Sequence, residues 1–171
     1  MTDAAVNEDT VANHKSMSLI VTKGNLDSGY PPFILATTAA AMGLKVSMFF
    51  TFYGLNLLHK KLNLGISTLG NPAMKMPMMG MHMGMPNFMG FIPGVDGMAS
   101  DMMRNLIKKK GVASIEELRE AAVEADVTMI ACQMTMDLFD YKMADLIDGP
   151  ELGGAATYIE TATKSDINLF I

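Results

Sequence analysis

Three short, predominantly apolar segments constrain this chain most: SLIV at 18–21, VSMFFTF at 46–52 and VTMIA at 127–131. Strands covered on both faces read as near-continuous apolar runs, whereas half-exposed strands alternate. Between the first two segments lies an Ala-rich stretch, 33–42, apolar around most of its circumference as a buried helix is. Pro31 and Pro32 stand before it, where a helix tolerates proline in its first turn. Gly43 is placed to end it. Strand, helix, strand is a βαβ unit, and it predicts a parallel sheet with helices on its faces.

The remainder extends the pattern. Met98, Met102, Met103, Leu106 and Ile107 recur at helical spacing, and Gly111 stops that helix. Ser114 and Glu117 form a capping-box signature for a second helix, running to about residue 124. The strand 127–131 delivers Cys132 at its carboxyl end, and 134–139 opens another helix. Gly153 and Gly154 precede a last helix at 155–163, and INLFI closes the chain as a strand. Gly153-Gly154 reads as a turn, with close backbone approach or an anion site at the following helix as the alternatives. The order is that of an open, mostly parallel α/β sheet of about five strands flanked by helices. No internal repeat is found. Residues 1–15 are polar and predict a frayed tail, leaving 16–171 as one α/β domain, as the length of 171 residues suggests. Residues 63–96, rich in Met, Gly and Pro, hold no period of 2 or 3.6 and predict a long loop.

Composition removes several function classes. The net charge of −5 argues against nucleic-acid binding, which concentrates Lys and Arg. The one basic run, Lys108-Lys109-Lys110, suits the negative end of a helix dipole. A single cysteine allows no intrachain disulfide. The first fifteen residues lack the apolar core of a secretory leader. No apolar stretch reaches the roughly 20 residues of a membrane helix. These features predict a cytoplasmic protein without membrane association.

Open α/β sheets place their sites at the carboxyl ends of strands, so Cys132 is the candidate for chemistry. Free amides at a following helix N-terminus would favour its thiolate and make it a better nucleophile. A small buried hydrophobe is the equally open alternative, since free cysteine is among the most buried residue types. No CxxC motif exists, and His14, His59 and His82 lie in no recognisable Cys-His pattern. Gly24 and Asn25 follow the first strand and could approach Cys132, or form a tight turn with Asp27 capping a helix. Asp137, one turn after Cys132, would raise the thiol's pKa if it faced it.

FFTFYGLNLL at 49–58 and ACQMTMDLF at 131–139 resemble the DsrE/DsrF-like family, in the branch described as DsrE-like sulfurtransferase or "peroxiredoxin family". VTKGNLDSGY, GVASIEELREAA and the stretch from DLIDGPELGG to the final INLFI extend the resemblance over nearly all of the chain after the tail. It implies a Rossmann- or flavodoxin-like sheet. It also implies a sulfur carrier or sulfurtransferase holding a persulfide or thiosulfonate on Cys132, in sulfur oxidation or sulfur relay. No cofactor or metal is implied. Thiol or persulfide proteins such as TusA-like or rhodanese-like carriers would be the partners, and a homo-oligomer the assembly. Topology and the resemblance together make Tyr53, Gly54 and Met134 further pocket-lining candidates beside Gly24 and Asn25. Some relatives carry a second cysteine near the middle loop; this chain does not, which favours carriage over internal disulfide chemistry. A peroxidatic Thr-x-x-Cys is absent.

Eleven of nineteen methionines fall between Met74 and Met103. They read as a pliable apolar surface for a partner or pocket, with a shield over Cys132 as one form of it. Thioethers also select Cu(I), so Met74, Met76, Met78 and His82 form an alternative soft-metal set. A non-catalytic oligomeric binding protein with a buried Cys132 is the other alternative function.

Overall fold

The computed structural model describes residues 15–67, 75–78, 81–84 and 95–171. The expected frayed tail and much of the Met-rich segment therefore lie outside the described residues, as do the side chains of the proposed copper set.

Five strands form the main sheet: β1 (Ser16–Val21), β2 (Lys45–Phe50), β5 (Thr128–Cys132), β6 (Glu151–Gly153) and β7 (Ile167–Phe170). Their order is β6-β5-β2-β1-β7 and every pairing is parallel. Helix α1 (Leu26–Ala41) connects β1 to β2, and α2 (Val95–Lys109) and α3 (Ile115–Glu124) lie between β2 and β5. Helix α4 (Gln133–Leu138) follows β5, and α5 (Ala155–Ala162) carries the chain from β6 back across the sheet to β7. Right-handed crossovers moving in opposite directions put their helices on opposite faces. Accordingly α1 packs beside α3, while α5 packs on β1 and β6.

The side chains of each strand divide between those two faces with period two. Leu19, Val21, Met48, Phe50, Met129 and Ala131 join the larger core under α1 and α3. Ile20, Phe49, Ile130 and Cys132 point the other way, where Tyr158 of α5 completes a small second core. Cys132 thus belongs to the thinner side of the molecule.

Helix α1 starts earlier than the prolines suggested. Its N-cap is Asn25, not Asp27, and Pro31 and Pro32 lie inside it. Each missing N–H removes an i→i−4 bond, a penalty propensity alone would avoid. Packing outweighs it: Pro32 and Phe33 are buried, and a Cβ on Gly29 would stand 2.8 Å from both Ile115 and Leu57 methyls. The C-terminus matches expectation, with Gly43 at φ +84° and Leu44 N–H returning to the Ala39 carbonyl at 3.0 Å.

Two short strands depart from the loop expected at 63–96. Antiparallel β3 (Lys75–Met78) and β4 (Met81–Gly84) pair Met76 with Met83 and Pro77 with His82. A two-stranded ribbon has only edge strands, where proline is admissible, so the Pro and Gly content does not prevent pairing here. The glycine pair expected to form a turn instead begins in strand β6, whose last residue, Gly153, is buried opposite Cys132.

The capping box at α3 is present in both directions: Ser114 N–H to Glu117 at 2.7 Å and Glu117 N–H to Ser114 Oγ at 3.1 Å. Buried Arg119, from the same helix, donates to the Leu57 and His59 carbonyls at 3.0 and 2.7 Å. It thereby holds the 3-10 helix Phe52–Leu58 that follows β2. Ser114→Ala is expected to lower the thermal unfolding midpoint by about 2–4 °C, measured by calorimetry, without altering thiol reactivity at Cys132.

Candidate functional site

Cys132 is at once the last residue of β5 and the N-cap of α4. Parallel register fixes its neighbour: Phe50 pairs with Ala131, so Thr51 stands beside Cys132 on the same face of the sheet. Below the sulfur lie Phe49, Ile130 and Tyr158, with the Phe49 and Tyr158 rings 5.3 Å apart. Only 4% of Cys132 is exposed.

Two opposing effects act on the thiol. Burial pushes its pKa up, while the Thr135 hydroxyl and N–H, the Thr51 hydroxyl and the Met134 N–H favour the thiolate. The donors prevail, and the thiol is held below its ordinary value. Asp137 is exposed, and no carboxylate contributes to the shift. The anion is therefore supported by neutral dipoles.

Those donors are linked to one another. The Thr51 and Thr135 hydroxyls lie 3.1 Å apart, and Phe52 N–H donates to Thr135 Oγ1 at 3.1 Å. Phe52 reaches this position with φ +47°, a left-handed conformation that is uncommon for a bulky residue. Thr135 is fully buried.

The candidates Gly24 and Gly54 have a packing reason for being glycine. A Cβ on Gly24 would stand 2.0 Å from the Tyr53 carbonyl oxygen, and one on Gly54 would stand 2.2 Å from that of Val21. The loops after β1 and β2 are thus pressed backbone to backbone. Thr51 N–H to the Val21 carbonyl (3.0 Å) and Gly54 N–H to that of Thr22 (3.1 Å) clamp them. Asn25 occupies the N-cap position of α1 next to this clamp, in extended backbone and without a side-chain capping bond. Tyr53 is 64% exposed and stacks on Phe139 at 5.7 Å. Met134 gives its N–H to the thiol's environment while its side chain is 65% exposed. So Met134 joins Cys132 directly, and Tyr53 and Gly54 flank it through the Thr51–Phe52 turn. Gly24 and Asn25 sit one strand further away, since β2 lies between β1 and β5.

Thr51, Thr135 and Tyr158 did not stand out in the sequence. Two signals were available: the Cys132-x-x-Thr135 spacing, which is N-cap to N3, and the alternation 47, 49, 51 along β2. Gly154 N–H donates to Thr157 Oγ1 at 3.3 Å, so the turn reading of Gly153-Gly154 gives way to a strand end and a self-capped helix. His59 packs edge-on against Tyr141 at 4.5 Å. No group of three or more His, Cys, Asp or Glu is arranged for a metal among the described residues. A cavity of about 360 Å³ lies between α1, α2 and α3, lined by residues including Tyr30, Arg104 and Glu116; Cys132 does not border it.

Comparison with known proteins bears on the family and the fold. The model of the DsrE/DsrF/DrsH-like family matches residues 13–170. The sulfur carrier protein DsrE2 of Allochromatium vinosum is 58% identical over 157 residues, 92% of this chain and 98% of that protein. The protein YrkE of Bacillus subtilis is 32% identical over 160 residues, 92% of this chain and 97% of its own length. The crystal structure of the YchN protein from E. coli shares the fold, with a TM-score of 0.55 over 92% of this chain and 99% of that one, at 12% identity.

Two outcomes test the site's geometry. Iodoacetamide attacks the thiolate, so the alkylation rate of Cys132 should fall with decreasing pH around a midpoint below that of a free cysteine peptide. A midpoint at or above the peptide's would contradict the donor arrangement. Gly54→Ala should lower the unfolding midpoint and move the alkylation midpoint upward, because no room exists for a Cβ without displacing the clamp.

Proposed function

This chain belongs to the DsrE/DsrF/DrsH-like family, and we propose that it works as a sulfur carrier, holding sulfur on Cys132 as a persulfide or thiosulfonate in sulfur relay or sulfur oxidation. The observation that carries the reading is the convergence of hydroxyl and amide donors on a thiol at a strand's carboxyl end. A thiolate attacks the outer sulfur of a donor R–S–SH; the S–S bond breaks and R–S⁻ leaves. With no second cysteine in the chain, the loaded sulfur has no internal thiol to resolve it and waits for an acceptor. The 58% identity to a sulfur carrier protein over nearly its whole length supports the same role.

The partners are thiol or persulfide proteins, with TusA-like and rhodanese-like carriers as the specific expectation. Among the described residues no helix is long and apolar enough to cross a membrane, and a cytoplasmic location fits the acidic composition. A homo-oligomer fits the apolar side chains left exposed along edge strand β7 and helix α5: Phe170 (74%), Ile159 (57%) and Ile167 (42%).

Intact-protein mass after incubation with tetrathionate or polysulfide tests the carrier reading. Wild type should gain one or more sulfur atoms, or a thiosulfonate group, reversibly by reductant. Cys132→Ser should gain nothing. If wild type takes no adduct while a small control thiol is loaded, Cys132 is an inert buried residue and the chain is a binding protein.

A further inference from the structure

The loaded state gives the hydroxyl pair beside Cys132 a specific task. We propose that Thr135 is a positioning residue for sulfur release, its hydroxyl held by Phe52 and Thr51 so that it donates to Cys132 Sγ as that sulfur leaves. This rests on the carrier reading above.

The inventory of Thr135 Oγ1 gives the reason. A hydroxyl has one proton and two acceptor lone pairs. One lone pair takes Phe52 N–H at 3.1 Å. The other is within reach of the Thr51 hydroxyl, also at 3.1 Å. Either hydroxyl can be the donor of that bond; in the arrangement where Thr51 donates, both lone pairs of Thr135 are used and its own proton is free for another acceptor. Cys132 is the N-cap and Thr135 the N3 residue of the same helical turn, so the sulfur of Cys132 is the acceptor which that turn sets beside the hydroxyl, and the hydroxyl's lowering of the thiol's pKa agrees with it. Thr135 is fully buried, so water does not compete for the proton. The backbone of Phe52, in its left-handed turn, thus orients a proton toward the last residue of a different strand.

The release step shows when this matters. An acceptor thiolate R–S⁻ attacks the outer sulfur of Cys132–S–SH and forms R–S–SH. The S–S bond breaks and its electron pair goes to Cys132 Sγ. Negative charge therefore develops on that sulfur, the atom toward which Thr135 is directed. In the loaded state the same sulfur is a neutral divalent atom and a weak acceptor. The bond strengthens as release proceeds, and interactions of that kind lower a barrier. A better-stabilised leaving thiolate also leaves faster.

The experiment uses the full chain, as wild type, Thr135→Val, Thr135→Ser and Thr51→Val. Each is loaded with polysulfide, and the loss of one sulfur to excess glutathione is followed by intact mass. Alkylation by iodoacetamide is measured across pH on the unloaded proteins. Thr135→Val should slow release about tenfold and raise the alkylation midpoint. Thr135→Ser should restore both. Thr51→Val, which spares the Phe52 bond, should give a smaller change in the same direction. Release and midpoint unchanged in Thr135→Val would overturn the proposal, as would a defect that Thr135→Ser fails to repair. Should Thr135→Val not fold, Thr51→Val decides: a midpoint and release rate equal to wild type would overturn it. Wild type that never loads defeats the carrier reading instead, and the alkylation profiles still report whether Thr135 faces the thiolate.

Discussion

Phe50 and Ala131 face one another across β2 and β5, and one residue later the two chains separate. Thr51 and Phe52 turn into a 3-10 helix while Cys132 caps α4. The Thr51–Thr135 and Phe52–Thr135 bonds tie the two turns together at the point of separation. Slipping this register by one residue would exchange the faces of the strand and carry Cys132 into the core under α1 and α3. The parallel pairing is therefore what sets a thiol beside two hydroxyls and two helix amides.

The second face explains how a nearly buried sulfur can still be anionic. Taking a charge out of water costs several kcal/mol, and the small apolar cluster of Phe49, Ile130 and Tyr158 offers nothing in return. Each hydrogen bond to a charged group contributes about 1.5–3 kcal/mol. The neutral hydroxyls and amides of Thr51, Met134 and Thr135 around the sulfur turn the balance toward the thiolate. A lysine or arginine would do so more strongly, but it would also favour any small anion. The arrangement here stabilises the charge that arises on the sulfur itself.

The larger features were legible from the residues because they depend on local chemistry. Gly43 and Gly111, with positive φ, end α1 and α2 as expected. Ser114 and Glu117 complete their box, and the apolar runs became the central strands. Cys132 falls where strand gives way to helix. Features set by tertiary contact were not legible. Helix α1 begins before its prolines because Gly29 and Pro32 are locked against other elements. Strand β6 has three residues, too few to show a period. Thr51 and Thr135 are 84 residues apart in sequence, and nothing in either neighbourhood reports that a parallel pairing unites them. The Met-rich stretch shows composition overriding pattern: it reads as loop, yet two four-residue segments of it pair.

The left-handed backbone at Phe52 connects the site to the rest of the sheet. A bulky residue there costs on the order of 1–3 kcal/mol, and that conformation persists only if its surroundings impose it. They do so from both sides. Thr51 N–H and Gly54 N–H are anchored to the loop after β1, and the two glycines allow that loop to approach within a distance no Cβ permits. Arg119 fixes the far end of the 3-10 helix by its bonds to Leu57 and His59. Phe52 is left with one way to turn, and its N–H meets Thr135. The thiol's environment is thus decided by contacts that never touch the sulfur, and Gly24 and Gly54 act on Cys132 through the backbone they bring together.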